Sequence, residues 1–177
     1  MDIAAEFIAQ SRRYLASEYP TKIRHCLDVL PADAIWHRDH ESSNSIGNLL
    51  LHLSGNIRQW IVSGVGGAPD ARRRSAEFDA REGGDAAALM GQLLATVREA
   101  DDVLASLDGQ RLAERRTIQG RDVSVLDAVY HVVEHFSLHT GQIILLTKQL
   151  SPGGIHFYED AGGQAIPRWR EQAEKKR

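Results

Sequence analysis

Three histidines of the C-terminal half, His131, His135 and His139, recur at steps of four residues. Two imidazoles four residues apart on a helix lie one above the other and can reach the same ion, so the H-x-x-x-H spacing suits metal ligation. Three in a row offer two such pairs. Spacing alone leaves open whether His131 and His135 or His135 and His139 would share the ion. A fourth histidine, His52, sits at the edge of the apolar stripe of an earlier segment, beside Asn48, Asn56 and Gln59. If the two segments pack side by side, His52 supplies a third ligand and leaves positions open to water or substrate, as a catalytic metal site requires. The plainer alternative is that these are hydrogen-bonded histidines at the boundary of the core, a commoner use of the residue.

Other chemistry is sparse. Cys26 is the single cysteine, which excludes an intramolecular disulfide and a multi-thiolate zinc site and leaves imidazole and carboxylate as metal ligands. It lies in an amphipathic segment and reads as a small core residue. Arg72 and Arg74 can hold a substrate carboxylate, and Glu77 can act as a base or an extra ligand, although a charged loop is also simply solvated.

The elements that must position these groups are helical almost throughout. Ile3, Phe7, Tyr14, Ile23, Leu27 and Leu30 predict a first helix over 2–30, kinked or split at Pro20. Ile46, Leu49, Leu50, Leu53, Ile57, Trp60 and Ile61 predict a second, capped by Ser42, Ser43 or Asn44 and ending near Val62. A connection of about twenty residues, 63–84, follows, long enough to suggest a functional loop. A third helix spans 85–107, and 115–124 alternates around Gly120 as a short hairpin. The fourth runs from about Ser124 to Leu150, with Val125, Val129, Val132, Phe136, Ile143 and Leu150 on its core face and the histidines along one edge. A tail with Phe157 and Tyr158 ends in the charged run 171–177, expected to be solvated.

Length and charge narrow the class. A chain of 177 residues with 42% hydrophobic content suits one soluble domain, 1–177. The 21 basic and 24 acidic residues give a net charge of -3, so neither nucleic acid nor an anionic membrane is an expected partner. No long apolar run and no basic leader is present, so the expected location is cytoplasmic.

The segments 43–56 and 131–143, which hold His52 and the H-x-x-x-H-x-G-Q run of His135, His139, Gly141 and Gln142, resemble the DinB-like superfamily of four-helix metalloproteins. The chain is more closely similar to a branch of it known as a domain of unknown function, and the likeness extends through 22–27, 72–78 and 118–120. The resemblance implies an all-α, up-down-down-up four-helix bundle with a long loop between helices two and three and a C-terminal tail. It implies one divalent ion, nickel, zinc or iron, on His52, His135 and His139. His131 then becomes a neighbour, and Asn56 and Gln142 stand about one turn from ligands as orienting partners. It further implies a metal-dependent transferase that uses a low-molecular-weight thiol such as bacillithiol, mycothiol or glutathione on a small-molecule substrate. A metal-dependent hydrolase is one alternative. A non-catalytic dimeric binding or stress-response module with structural histidines is another. A homodimer formed through exposed helix faces is expected in either case.

Overall fold

A computed structural model of the chain describes residues 1–31 and 33–169; the charged run 171–177 lies outside them. The protein is mostly helical. α1 (Ile3–Arg13) starts at Asp2, whose side chain accepts the N–H groups of Ala4 and Ala5. It passes through a π-helical turn, Tyr14–Glu18, into α2 (Tyr19–Leu27). The Tyr19 N–H reaches back five residues to the Tyr14 carbonyl, and this widened turn accommodates the ring of Pro20. The expected kink or split at Pro20 takes the form of this π-helical turn, through which the helix continues.

α3 (Ile46–Ile57) begins with a capping box: Ser45 accepts the Asn48 N–H while the Asn48 side chain accepts the Ser45 N–H. A π-helical stretch, Arg58–Val65, prolongs it past Val62. The connection that follows was expected as a loop but contains a short helix, α4 (Arg74–Asp79). α5 (Ala86–Ala105) is capped by Asp85, and α6 (Gly109–Leu112) is one turn. α7 (Val125–Leu150) opens with a second capping box, Ser124 with Asp127.

Two small antiparallel sheets modify the all-α expectation. β1 (Arg115–Ile118) pairs with β2 (Arg121–Ser124), the hairpin anticipated around Gly120. β3 (Tyr158–Ala161) pairs with β4 (Gln164–Pro167) in the tail. Both turns have two residues at positive φ, Gln119 and Gly120 in one, Gly162 and Gly163 in the other, the backbone that two-residue hairpin loops require.

α3 packs against α4, α5 and α7, and α2 packs against α7. Leu50 and Leu53 of α3, Leu93 of α5, Val129, Val132 and Phe136 of α7 and Ile23 of α2 are fully buried between them, and removal of this apolar surface from water drives the packing. Ile118 of β1 seats against Gly64, where a β-carbon would stand 2.5 Å from its side chain. Among the described residues no helix is long and apolar enough to cross a membrane. The α3–α7 contact brings the polar edges of the two helices face to face.

Candidate metal centre

His52 projects from the middle of α3, and His135 and His139 project from successive turns of α7. One ring nitrogen of each lies within 4.8 Å of the others. His52 Nε2 is 3.0 Å from His135 Nε2, and His139 Nε2 is 3.2 Å from it. Ligand nitrogens about 2.0–2.1 Å from one ion stand roughly 2.8–3.4 Å apart in octahedral or tetrahedral geometry, and both separations from His135 Nε2 fall in that range.

Proton positions reinforce that fit. His52 Nδ1 is 2.8 Å from Glu77 Oε2, and an ionised carboxylate only accepts, so the Nδ1–H donates and Nε2 keeps its lone pair. His139 Nδ1 is 2.7 Å from Gln142 Oε1, which places its lone pair on Nε2 in the same way. His135 Nε2 faces both. Its Nδ1 is buried without a hydrogen-bond partner among the described residues, so no neighbour selects its tautomer. With the proton on Nδ1, three lone pairs converge, and a cation satisfies them together. The residues present fit a single metal ion.

Electrostatics keep His135 and His139 neutral. Burial lowers the His135 pKa to about 3, with His139, His52, His131 and Arg72 adding repulsion of a positive ring. Burial is also the main cause of the lowered pKa of His139, and the Gln142 hydrogen bond opposes it. A neutral ring is the ligating form.

Glu77 and Arg72 act behind His52. Arg72 Nε donates to Glu77 Oε1 at 2.7 Å and Nη2 to Oε2 at 2.8 Å, and both side chains are about nine-tenths buried or more. Burial alone would raise the Glu77 carboxyl, but the Arg72 and His52 hydrogen bonds outweigh it and hold the group below its ordinary value. Arg72 Nη2 also stands 3.1 Å from His52 Nδ1; two donors do not bond one another, so the carboxylate between them holds both in place. Arg72 Nη1 donates to Gln59. The sequence offered Arg72 for a substrate carboxylate and Glu77 as a base or an extra ligand; in the structure the two hydrogen-bond each other, and Glu77 also bonds His52. Arg74 is exposed, its guanidinium 4.8 Å above the Phe78 ring, which in turn lies 4.6 Å from the His52 ring.

Asn48, one turn before His52, explains how Glu77 arrives there. Its side-chain amide donates to the carbonyls of Glu77 and Ala80, while Arg38 donates to Asn48 and to the Ala80 carbonyl. These bonds strap the end of α4 across the start of α3. Gly55 completes the seat, because a β-carbon there would stand 2.0 Å from Glu77 Oε1.

Two further expectations resolve differently. Gln142 contacts His139 as an orienting partner would. Asn56 instead reaches His131, with 3.4 Å from Nδ2 to Nε2. His131 packs against Trp60, ring centroids 4.2 Å apart and tilted, and stands outside the ligating cluster. Sequence reading missed the straps from Arg38 and Asn48; the only signal was Asn48 itself, a polar residue on the same edge as His52.

The fold and the cluster together define a mostly helical protein with three histidines close enough to hold one metal ion. The chain belongs to the family described as a protein of unknown function, DUF1572, whose model matches residues 2–157. No curated protein matches it.

Proposed function

We propose that this protein is a metal-dependent enzyme of the DinB-like type that acts on a small molecule. The four long helical rods, α1 with α2, α3 with its π-helical continuation, α5 and α7, then correspond to an up-down-down-up four-helix bundle, and residues 1–177 to one domain. The observation that carries the reading is the convergence of His52, His135 and His139 through Nε2, with two of the three rings held in the ligating tautomer by Glu77 and Gln142.

His52, His135 and His139 would hold one divalent ion, and three neutral imidazoles accept nickel, zinc or iron alike. When bound, the ion supplies Lewis acidity toward a thiolate or a carbonyl. The chain's own groups do the rest. Glu77 and Gln142 retain the Nδ1 protons, Arg72 offsets the Glu77 charge, and Phe78 covers one face of the His52 ring. A transferase that uses a low-molecular-weight thiol fits best. The ligand set is all neutral, so an anionic thiolate is the complementary ligand, and the chain's single thiol, Cys26, is buried in the core against Thr147.

Elemental analysis of the purified protein tests this. We expect about one transition-metal ion per chain, lost in His52→Ala and His139→Ala, and thiol transfer to a small electrophile that disappears on chelation and returns with metal. Protein that neither carries nor takes up nickel, zinc or iron would overturn the reading. Protein that binds metal but transfers no thiol would overturn the transferase assignment alone.

A further inference from the structure

The outer side of α7, away from the core, carries large apolar side chains in water. Leu126, Tyr130, Leu138 and Leu145 are 43%, 63%, 55% and 58% exposed, and their spacing gathers them on one broad helical face. Asp127, Glu134, Ser137, Gly141 and Lys148 are the exposed residues between and beside them.

Gly141 lies in the middle of this face. Glycine weakens a helix, and a β-carbon at 141 would meet nothing within 4 Å, so no contact among the described residues asks for it there. A glycine suits this position when another backbone approaches from outside. Ser137, one turn earlier, leaves the neighbouring surface low as well.

We propose that α7 packs antiparallel against α7 of a second copy of this chain, about a two-fold axis beside Ser137 and Leu138. Leu138 then meets the partner's Leu138, Tyr130 packs on the partner's Leu145, and Glu134 lies over the partner's Gly141. Asp127 comes opposite the partner's Lys148 at each end. Charge selects this direction, because a parallel pairing would set Asp127 and Glu134 against their own copies. The interface is self-complementary, as two-fold symmetry demands. The stretch from Tyr130 to Leu145 covers about 22 Å of helix at 1.5 Å per residue, a small interface, so assembly is expected at micromolar concentration.

Sedimentation equilibrium of the full chain reads this directly. The expected mass is about 39 kDa, twice 19.6 kDa, falling to the monomer on dilution. Leu138→Glu, at a position exposed in the monomer, should be monomeric with an unchanged circular dichroism spectrum. Lys148→Glu should weaken the dimer several-fold, with the loss shrinking as salt is raised. A mixture of Tyr130→Cys and Leu145→Cys chains should crosslink under mild oxidation, whereas each variant alone should not. Wild-type protein that stays monomeric at several hundred micromolar overturns the proposal. So does a dimer that survives Leu138→Glu, that ignores Lys148→Glu, or whose single-cysteine variants each crosslink to themselves.

Discussion

Glu77 Oε2 stands 2.8 Å from His52 Nδ1, while Arg72 grips both oxygens of the same carboxylate. The relationship fixes the orientation and the tautomer of His52 from a segment 25 residues away in sequence. Outer partners of this kind tune a metal site nearly as strongly as the ligands do. Arg72 makes the arrangement tolerable, because an uncompensated buried carboxylate would be costly.

Glu77→Gln therefore separates the partner from the ligands. The amide keeps the shape of the side chain but leaves the Arg72 guanidinium without a counter-charge, so stability should fall by about 3 kcal/mol. Metal affinity should drop roughly 10- to 100-fold while stoichiometry stays at one. Competition titration against a chromogenic chelator measures this; affinity equal to wild type would show that Glu77 serves the fold alone.

Gly55→Ala attacks the same contact from the opposite side. The new methyl would lie 2.0 Å from Glu77 Oε1, and α3 cannot retreat because Leu53 and Ile57 are packed in the core. Glu77 and Arg72 must shift outward. We expect a loss of about 1–3 kcal/mol in denaturant unfolding, typical of overpacking, together with weaker metal binding. An exposed helical Gly→Ala change normally stabilises, so a rise in stability would contradict the described packing.

Much of this centre is legible in the sequence because it obeys helical period. The His52 edge, the four-residue histidine step and the start of α7 near Ser124 all follow from spacing on single helices, and the Gly120 hairpin follows from the alternation around that turn. The choice of His139 over His131 does not. Both are one turn from His135, and only the packing of Trp60 and Asn56 onto His131 draws that ring aside. The Glu77 partnership is also hidden, since it depends on Asn48 and Arg38 hydrogen-bonding the backbone of a distant segment, and such long-range straps leave no periodic trace. The π-helical turns escape for a related reason: each inserts one residue into an otherwise ordinary amphipathic pattern. The β3–β4 hairpin had only the Gly162-Gly163 pair to announce it.

Cys26 gives a prediction with a definite sign in pH. Burial pushes its thiol up to about 11 from an ordinary 9.0. Above the unfolded pKa the unfolded chain has released a proton that the folded chain still holds, so stability is full below about pH 9 and declines as pH rises toward 11. The total is on the order of 3 kcal/mol. Urea melts from pH 8 to 11 should show this extra slope in wild type and lack it in Cys26→Ala. Native protein at pH 8.5 should also resist alkylation until denatured; rapid alkylation of the folded chain would contradict the burial of Cys26.

His131 decides which histidines are the ligands. Its ring lies 4.2 Å from Trp60 and 5.4 Å from His135, and burial is the main cause of its lowered pKa. As a packing residue it should be replaceable without loss of metal, whereas His135 should not. We expect His131→Ala to keep about one ion per chain and to lose roughly 2–3 kcal/mol through the cavity left beside Trp60. His131→Phe should recover part of that stability, since it restores an aromatic ring against the indole. His135→Ala should carry no metal. Elemental analysis of the three variants, paired with unfolding curves, distinguishes the roles: metal lost in both His131 variants would place His131 in the ligand set and return the choice between the two helical pairs to the one that spacing left open.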